Sequence, residues 1–141
     1  MKKIAVVYWS GTGNTEMMAN SVAEGVKEAG AEVSVMEPSA FSADQMDDFD
    51  AIAFGCPAMG AEELEETEFA PMFEDCKEKL QGKKIALFGS YGWGDGEWMR
   101  IWEDDCKQKG ADLACESVIC TEEPDDEAKE ACKNLGKTLA L

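Results

Sequence analysis

The chain has 141 residues, enough for one domain that buries its own core without a disulfide or a metal. Thirteen Lys and Arg stand against 30 Asp and Glu, a formal net charge of −17, which argues strongly against a nucleic-acid binder and points to a basic partner, the alternative being acidity that only provides solubility. The six cysteines fall at irregular gaps with no C-x-x-C pair and there is no histidine, so zinc and iron–sulfur spacings are absent. They read as reduced, packed thiols, and Cys56 as a small apolar filler rather than a redox group. No stretch resembles a signal peptide or approaches the ~20 apolar residues of a membrane helix, so a cytoplasmic location is expected.

Apolar runs alternate with helical patterns along the whole chain. Lys3 to Trp9 reads as a strand and is followed at once by Ser10-Gly11-Thr12-Gly13-Asn14-Thr15. Met18, Val22, Val26 and Ala29 then share one helical face, with Gly30 as a C-terminal cap. Glu32 to Met36 is a strand, Pro38 to Phe49 is expected to hold a short helix, and Ala51 to Gly55 is a buried strand. Thr67 to Leu80 is helical, Lys84 to Ser90 a strand, and Trp98, Ile101, Trp102 and Cys106 mark a helix ending near Gly110. Leu113 to Thr121 is expected as one uninterrupted strand, and Asp125 to Leu139 as a last helix opening with Pro124 and acidic residues.

This alternation predicts an α/β, doubly wound, five-stranded parallel sheet in the order 2-1-3-4-5 with helices on both faces. Ligands of such sheets lie beyond the carboxyl ends of the strands at the switch point, here between strands 1 and 3. The loops reaching that edge are Ser10 to Thr15, Cys56 to Glu63, Ser90 to Glu97 and Thr121 to Asp126.

The first loop is suited to one phosphate. Three hydroxyls and an amide lie among two glycines, and the helix behind aims its positive end at the same point, with no Lys or Arg present. It is not a P-loop, which would end in Gly-Lys-Ser/Thr, nor a Rossmann fingerprint, since Glu16 stands at the third glycine position. Alone it leaves open the lesser alternative of a polar turn whose Thr12 or Asn14 merely caps the helix. The loop Gly89 to Glu97 carries Tyr91 and Trp93 among glycines, which points to a flat ligand or to aromatics folding back over the sheet end, whereas Trp98 and Trp102 lie on an apolar helix face and read as core.

Taken together, Tyr-Trp-Ser-Gly-Thr-Gly-Asn-Thr, Ala-Met-Gly followed by Glu, and Leu-Phe-Gly-Ser-Tyr-Gly-Trp-Gly-Asp-Gly with Trp98 behind it resemble the flavodoxins, specifically the short-chain clostridial-type group of anaerobic bacteria. The likeness runs over nearly the whole chain, and the whole of 1–141 is then expected to be a single flavodoxin-like FMN-binding domain. The resemblance implies noncovalent FMN. Its phosphate would be held by Ser10, Thr12, Asn14, Thr15 and the backbone of Gly11 and Gly13. Trp93 would stack on one face of the ring, Met59 would pack on the other, and Glu62 would accept from the flavin N3–H. Backbone groups of Pro57, Ala58, Met59 and Gly60, and of Ser90, Tyr91, Gly92, Trp93 and Gly94, would border the ring. Two positions depart from the family pattern: Ala61 follows the turn glycine, where a positive φ would cost about 1 kcal/mol, and Pro57 lacks an N–H.

The resemblance further implies a low-potential one-electron carrier, not an enzyme, cycling mainly between neutral semiquinone and anionic hydroquinone, with the Gly60 carbonyl accepting a hydrogen bond from the flavin N5–H. The acidic run Glu62, Glu63, Glu65, Glu66 and Glu68 would disfavour the anionic form. Expected partners are basic surfaces of redox proteins such as reductases and ferredoxin-linked enzymes, met by a monomer. The alternative is an FMN-dependent quinone or NAD(P)H reductase on the same fold, which needs room above the ring. A phosphatase of similar topology would need a Cys-x5-Arg loop after strand 1, and a phospho-receiver an acidic pair there; neither is present.

Overall fold

The first apolar run forms β1 (Lys3–Tyr8), the inner strand from which the sheet grows in both directions. In the computed structural model, which describes residues 2–59, 63–92 and 94–141, β1 is followed by α1 (Asn14–Glu28), β2 (Glu32–Met36) and β3 (Ala51–Gly55). Then come α2 (Phe69–Cys76), β4 (Lys84–Tyr91), α3 (Glu97–Gln108), two short edge segments β5 (Asp112–Leu113) and β6 (Val118–Thr121), and α4 (Asp126–Leu139). Every pairing is parallel, in the order β2-β1-β3-β4 with β5 and β6 both on the far side of β4.

Alternation along the inner strands divides the core into two layers, as period-2 side-chain geometry requires. Ile4, Val6, Ala53, Ala86 and Phe88 pack against α1 and α4, while Ala5, Val7, Ile52, Phe54, Ile85 and Leu87 pack against α2 and α3. The second layer is aromatic. Phe54 meets Phe73 edge-on at 5.1 Å between ring centroids, and Trp102 meets Phe69 at 5.4 Å and Phe73 at 5.6 Å in the same manner. The first layer is built on small residues and close backbone approach. A Cβ on Gly25 would stand 2.0 Å from the Lys133 carbonyl oxygen, and one on Gly136 would stand 2.2 Å from that of Val22.

The structure differs from the sequence expectation at three elements. The fifth strand is split: Ile85 pairs with Leu113 and Phe88 with Val118, three steps along β4 against five along the edge, so two extra residues are accommodated between 114 and 117. The segment after β2 holds two 3-10 turns, Pro38–Ala40 and Ala43–Asp48, the second closed by a reciprocal Ser42–Gln45 capping box. The expected helix from Thr67 to Leu80 begins at Phe69 and ends in a 3-10 turn, Lys77–Lys79, because the carboxylate of Glu65 takes up the N–H groups of Thr67, Glu68 and Phe69.

Candidate functional site

The parallel strands deliver the loops after β1, β3, β4 and β6 to one edge. There they enclose a cavity of about 550 Å³, within the ordinary range for a small-molecule site.

Its first wall is the turn between β1 and α1. Gly13 adopts φ +96°, a left-handed conformation that a side chain would strain, and α1 begins immediately after it. The Ser10 hydroxyl lies inside the turn, where its oxygen accepts from the N–H of Gly13 at 3.1 Å and of Glu16 at 3.2 Å. The N–H groups of Thr12, Asn14 and Thr15 have no acceptor among the described residues. A helix N-terminus with free N–H groups and uncharged side chains favours an anion. Thr12 and Asn14 line the cavity; the Thr15 hydroxyl, 1 % exposed, is instead paired at 3.2 Å with that of Ser90.

The second wall is the segment after β3. Pro57, Ala58 and Met59 line the cavity, and Met59 exchanges both backbone hydrogen bonds with Glu63, at 2.8 and 2.9 Å, across the tip of the loop. Cys56 ties its base. Its N–H donates to the Phe88 carbonyl at 3.1 Å, its own carbonyl accepts from the Trp98 indole at 3.2 Å, and its sulfur receives the Glu65 N–H at 3.4 Å. Burial pushes the Cys56 thiol up to about 12, so it is not an available nucleophile. Trp98 is core, as its helix face predicts.

The third wall is the end of β4. Ser90, Tyr91 and Gly92 line the cavity, with the Ser90 carbonyl accepting from Ala58 N–H at 3.1 Å and the Tyr91 carbonyl from Glu122 N–H at 2.7 Å. Ser90 and Tyr91 thereby join all four loops of this edge. The Tyr91 ring leans on Trp98 at 5.4 Å while keeping one side on the cavity. Farther along, the Arg100 guanidinium holds the Asp95 carbonyl at 3.0 Å and its carboxylate at 3.1 Å, steadying a turn in which Gly94 and Gly96 both have positive φ.

Of the residues singled out in sequence, Gly11, Thr12, Asn14, Pro57, Ala58, Met59, Ser90, Tyr91 and Gly92 are brought to one cavity. Ser10, Gly13, Thr15 and Gly94 are beside it without lining it. Gly60, Ala61, Glu62 and Trp93 lie outside the described residues. Sequence reasoning missed Trp9, Glu122 and Glu123, which complete the lining. The last two sit in the Thr121 to Asp126 loop that topology had already placed at this edge, so the signal was position rather than residue type. Glu122 is the one non-glycine residue with positive φ, +56°, among those described, and no described ion pair neutralises Glu122 or Glu123.

An apolar slot bounded by Trp9, Ala58, Met59 and Tyr91 beside a cluster of free N–H groups fits a flat heterocycle carrying a phosphate. Residues 6–136 match the family model described as Flavodoxin. The chain is 47% identical to the flavodoxin of Clostridium beijerinckii over 135 residues, 96% of this chain and 97% of that protein. It is equally 47% identical to the flavodoxin of Megasphaera elsdenii over 137 residues, covering 97% and 98% of the two chains. The solution structure of the two-electron reduced Megasphaera elsdenii flavodoxin superimposes with a TM-score of 0.89 over 97% of this chain and 98% of that one. Fold, loops and sequence agree that this chain belongs to the flavodoxin family of FMN-binding electron carriers.

Proposed function

We propose that the cavity holds one FMN, phosphate on the turn before α1 and ring between the Met59 and Tyr91 loops, and that the protein is a low-potential one-electron carrier. The observation that supports this most directly is a phosphate-type cluster of N–H groups with no Lys or Arg in its turn, beside a cavity also lined by Glu122 and Glu123, neither of which is in a described ion pair. The N–H groups of Thr12, Asn14 and Thr15 bind the phosphate, and the Ser10 hydroxyl, its oxygen already accepting twice, has its proton left to donate. Ala58, Met59, Ser90, Tyr91 and Gly92 border the ring, with Gly60, Glu62, Trp93 and Gly94 in the roles their resemblance implies.

FMN supplies the redox chemistry; the protein sets the potential by which charge state it favours. A unit charge about 10 Å away costs an added negative charge roughly 0.4 kcal/mol in water, and several times that at lower dielectric. At ~59 mV per 1.36 kcal/mol, several such carboxylates lower the potential by on the order of 100 mV. The protein therefore cycles mainly between neutral semiquinone and anionic hydroquinone.

Charge is also sorted along the fold. Lys2, Lys3, Lys83 and Lys84 sit at the amino ends of β1 and β4, and Lys27, Lys77, Lys79, Lys107, Lys109, Lys133 and Lys137 at or beyond the carboxyl-terminal halves of the helices, which return to that same edge. The cavity edge has only Arg100 and Lys129 against the exposed acids Glu63, Glu66, Glu68, Asp95, Glu97, Glu122, Glu123 and Asp125 to Glu127. A negative pole at the electron-exit edge steers basic redox proteins to it. No described helix is long and apolar enough to cross a membrane. The proposal is completed by a monomeric, single-domain protein working in the cytoplasm.

One experiment tests carrier against reductase. The reduced, FMN-loaded protein is mixed with a cationic cytochrome in stopped flow while ionic strength is raised from about 10 mM to roughly 0.5 M. The transfer rate is expected to fall at least tenfold, with NAD(P)H alone left unoxidised. A salt-independent rate, or direct NAD(P)H oxidation, would contradict it.

A further inference from the structure

A buried carboxylate stands on the returning limb of the loop that faces the ring. Glu65 is 5 % exposed and takes part in none of the described ion pairs. One of its oxygens accepts from the N–H of Thr67 at 2.9 Å and from the Thr67 hydroxyl. The other accepts from the N–H of Glu68 at 2.7 Å and of Phe69 at 2.8 Å. Burial alone would raise its protonation range, but the Thr67 hydroxyl and the three N–H bonds outweigh that and hold the carboxyl below the usual range. It is an internal anion satisfied entirely by the start of α2.

The two limbs of the loop are anchored unequally. The outgoing limb is fixed to β4 and α3 through Cys56 N–H to Phe88, Ala58 N–H to Ser90 and the Trp98 indole to the Cys56 carbonyl. Among the described residues, the returning limb, Glu63 to Glu65, is hydrogen-bonded to it by the Met59–Glu63 pair and by the Glu65 N–H on the Cys56 sulfur, itself a weak acceptor. The polar anchor of that limb on the body of the protein is the Glu65 carboxylate on α2, with the Glu65 carbonyl receiving Ala70 N–H at 2.8 Å, beside the packing of Leu64 on the core.

We propose that Glu65 is a positioning residue of the flavin site: its carboxylate locks the returning limb onto α2, which fixes where Met59 stands against the ring. The inference rests on the placement of FMN given above. A neutral cap of the usual kind would satisfy one N–H and leave the limb free to swing. The charged group satisfies three at once and fixes both directions of the turn.

The test compares Glu65→Gln, Thr67→Val and Thr67→Ser with the wild type for urea stability of the FMN-free protein, FMN dissociation constant and the two one-electron potentials. Glu65→Gln puts an amide NH₂ against N–H donors, so it is expected to weaken FMN binding by about tenfold or more and to shift both potentials. Thr67→Val is expected to weaken binding about threefold and Thr67→Ser to restore it, since only the hydroxyl donor is removed and returned. If Glu65→Gln lowers stability but leaves FMN affinity and both potentials unchanged, Glu65 serves α2 alone and the inference is wrong. Should Glu65→Gln not fold, the Thr67 pair decides: wild-type affinity in Thr67→Val overturns it equally. A wild-type protein that takes up no FMN would instead refute the placement of the cofactor.

Discussion

Riboflavin is expected to bind this protein about a thousandfold more weakly than FMN. The two ligands share a ring and a ribityl chain, so the difference reads the turn before α1 alone. Hydrogen bonds from N–H groups to a charged acceptor contribute roughly 1.5–3 kcal/mol each. Two of the three free N–H groups, at the lower end of that range, with the Ser10 hydroxyl and the helix end added, give about 4 kcal/mol, or three powers of ten. No Lys or Arg lies within the turn, so this preference comes from oriented donors and not from net charge. Titration of the FMN-free protein with each flavin, followed by fluorescence quenching, measures the ratio. A ratio below tenfold would mean that the turn caps α1 and holds no phosphate.

Gly136→Ala is expected to destabilise the protein by roughly 2 kcal/mol, although alanine is the better helix former. Propensity favours the substitution by about 1 kcal/mol inside α4. Packing opposes it. The new Cβ would fall 2.2 Å from the Val22 carbonyl oxygen and 3.0 Å from the Val26 nitrogen, both backbone atoms of α1 that no side-chain rotation can clear. Overpacking against a fixed neighbour costs about 1–3 kcal/mol, and backbone contact belongs at the upper end, so packing wins. The ion pairs of Lys133 with Glu24 and Glu28 across the same crossing are partly exposed and offset little of this. Because α1 must shift to relieve the contact, its N-terminus moves with it and FMN affinity falls as well. Urea unfolding with and without FMN separates the two effects. Unchanged or raised stability of the FMN-free variant would show that the two helices pack less closely than described.

The inner strands were legible because burial on both faces leaves no polar side chain to interrupt Ile4 to Val7, Ala51 to Gly55 or Ile85 to Phe88. The edge was not. Nothing between Leu113 and Thr121 marks a break, since the two additional residues are taken up at the sheet edge, with Ala114 and Cys115 still packed on the core, and need no glycine or proline there. The loops of the site were legible through glycines and hydroxyls, whose conformational and hydrogen-bonding demands are local. Trp9 escaped because an aromatic at a strand end reads as core, and Glu122 and Glu123 because two more acids in a chain of charge −17 carry no signal of their own. Glu65 illustrates the same difficulty from the other side. In sequence it belongs to the acidic run 62 to 68, yet Glu63, Glu66 and Glu68 face solvent while Glu65 turns inward onto the N–H groups of α2. Only the backbone path at the start of that helix separates an internal anion from its surface neighbours.

One-electron transfer at low potential is tested most directly by stepwise dithionite reduction of the FMN-loaded protein at fixed pH, followed by visible absorption and electron paramagnetic resonance. The expected result is two separated one-electron steps, with a neutral flavin radical accumulating between them and the second step well below that of free FMN. Uptake of both electrons at a single potential, with no radical at any stage, would contradict it.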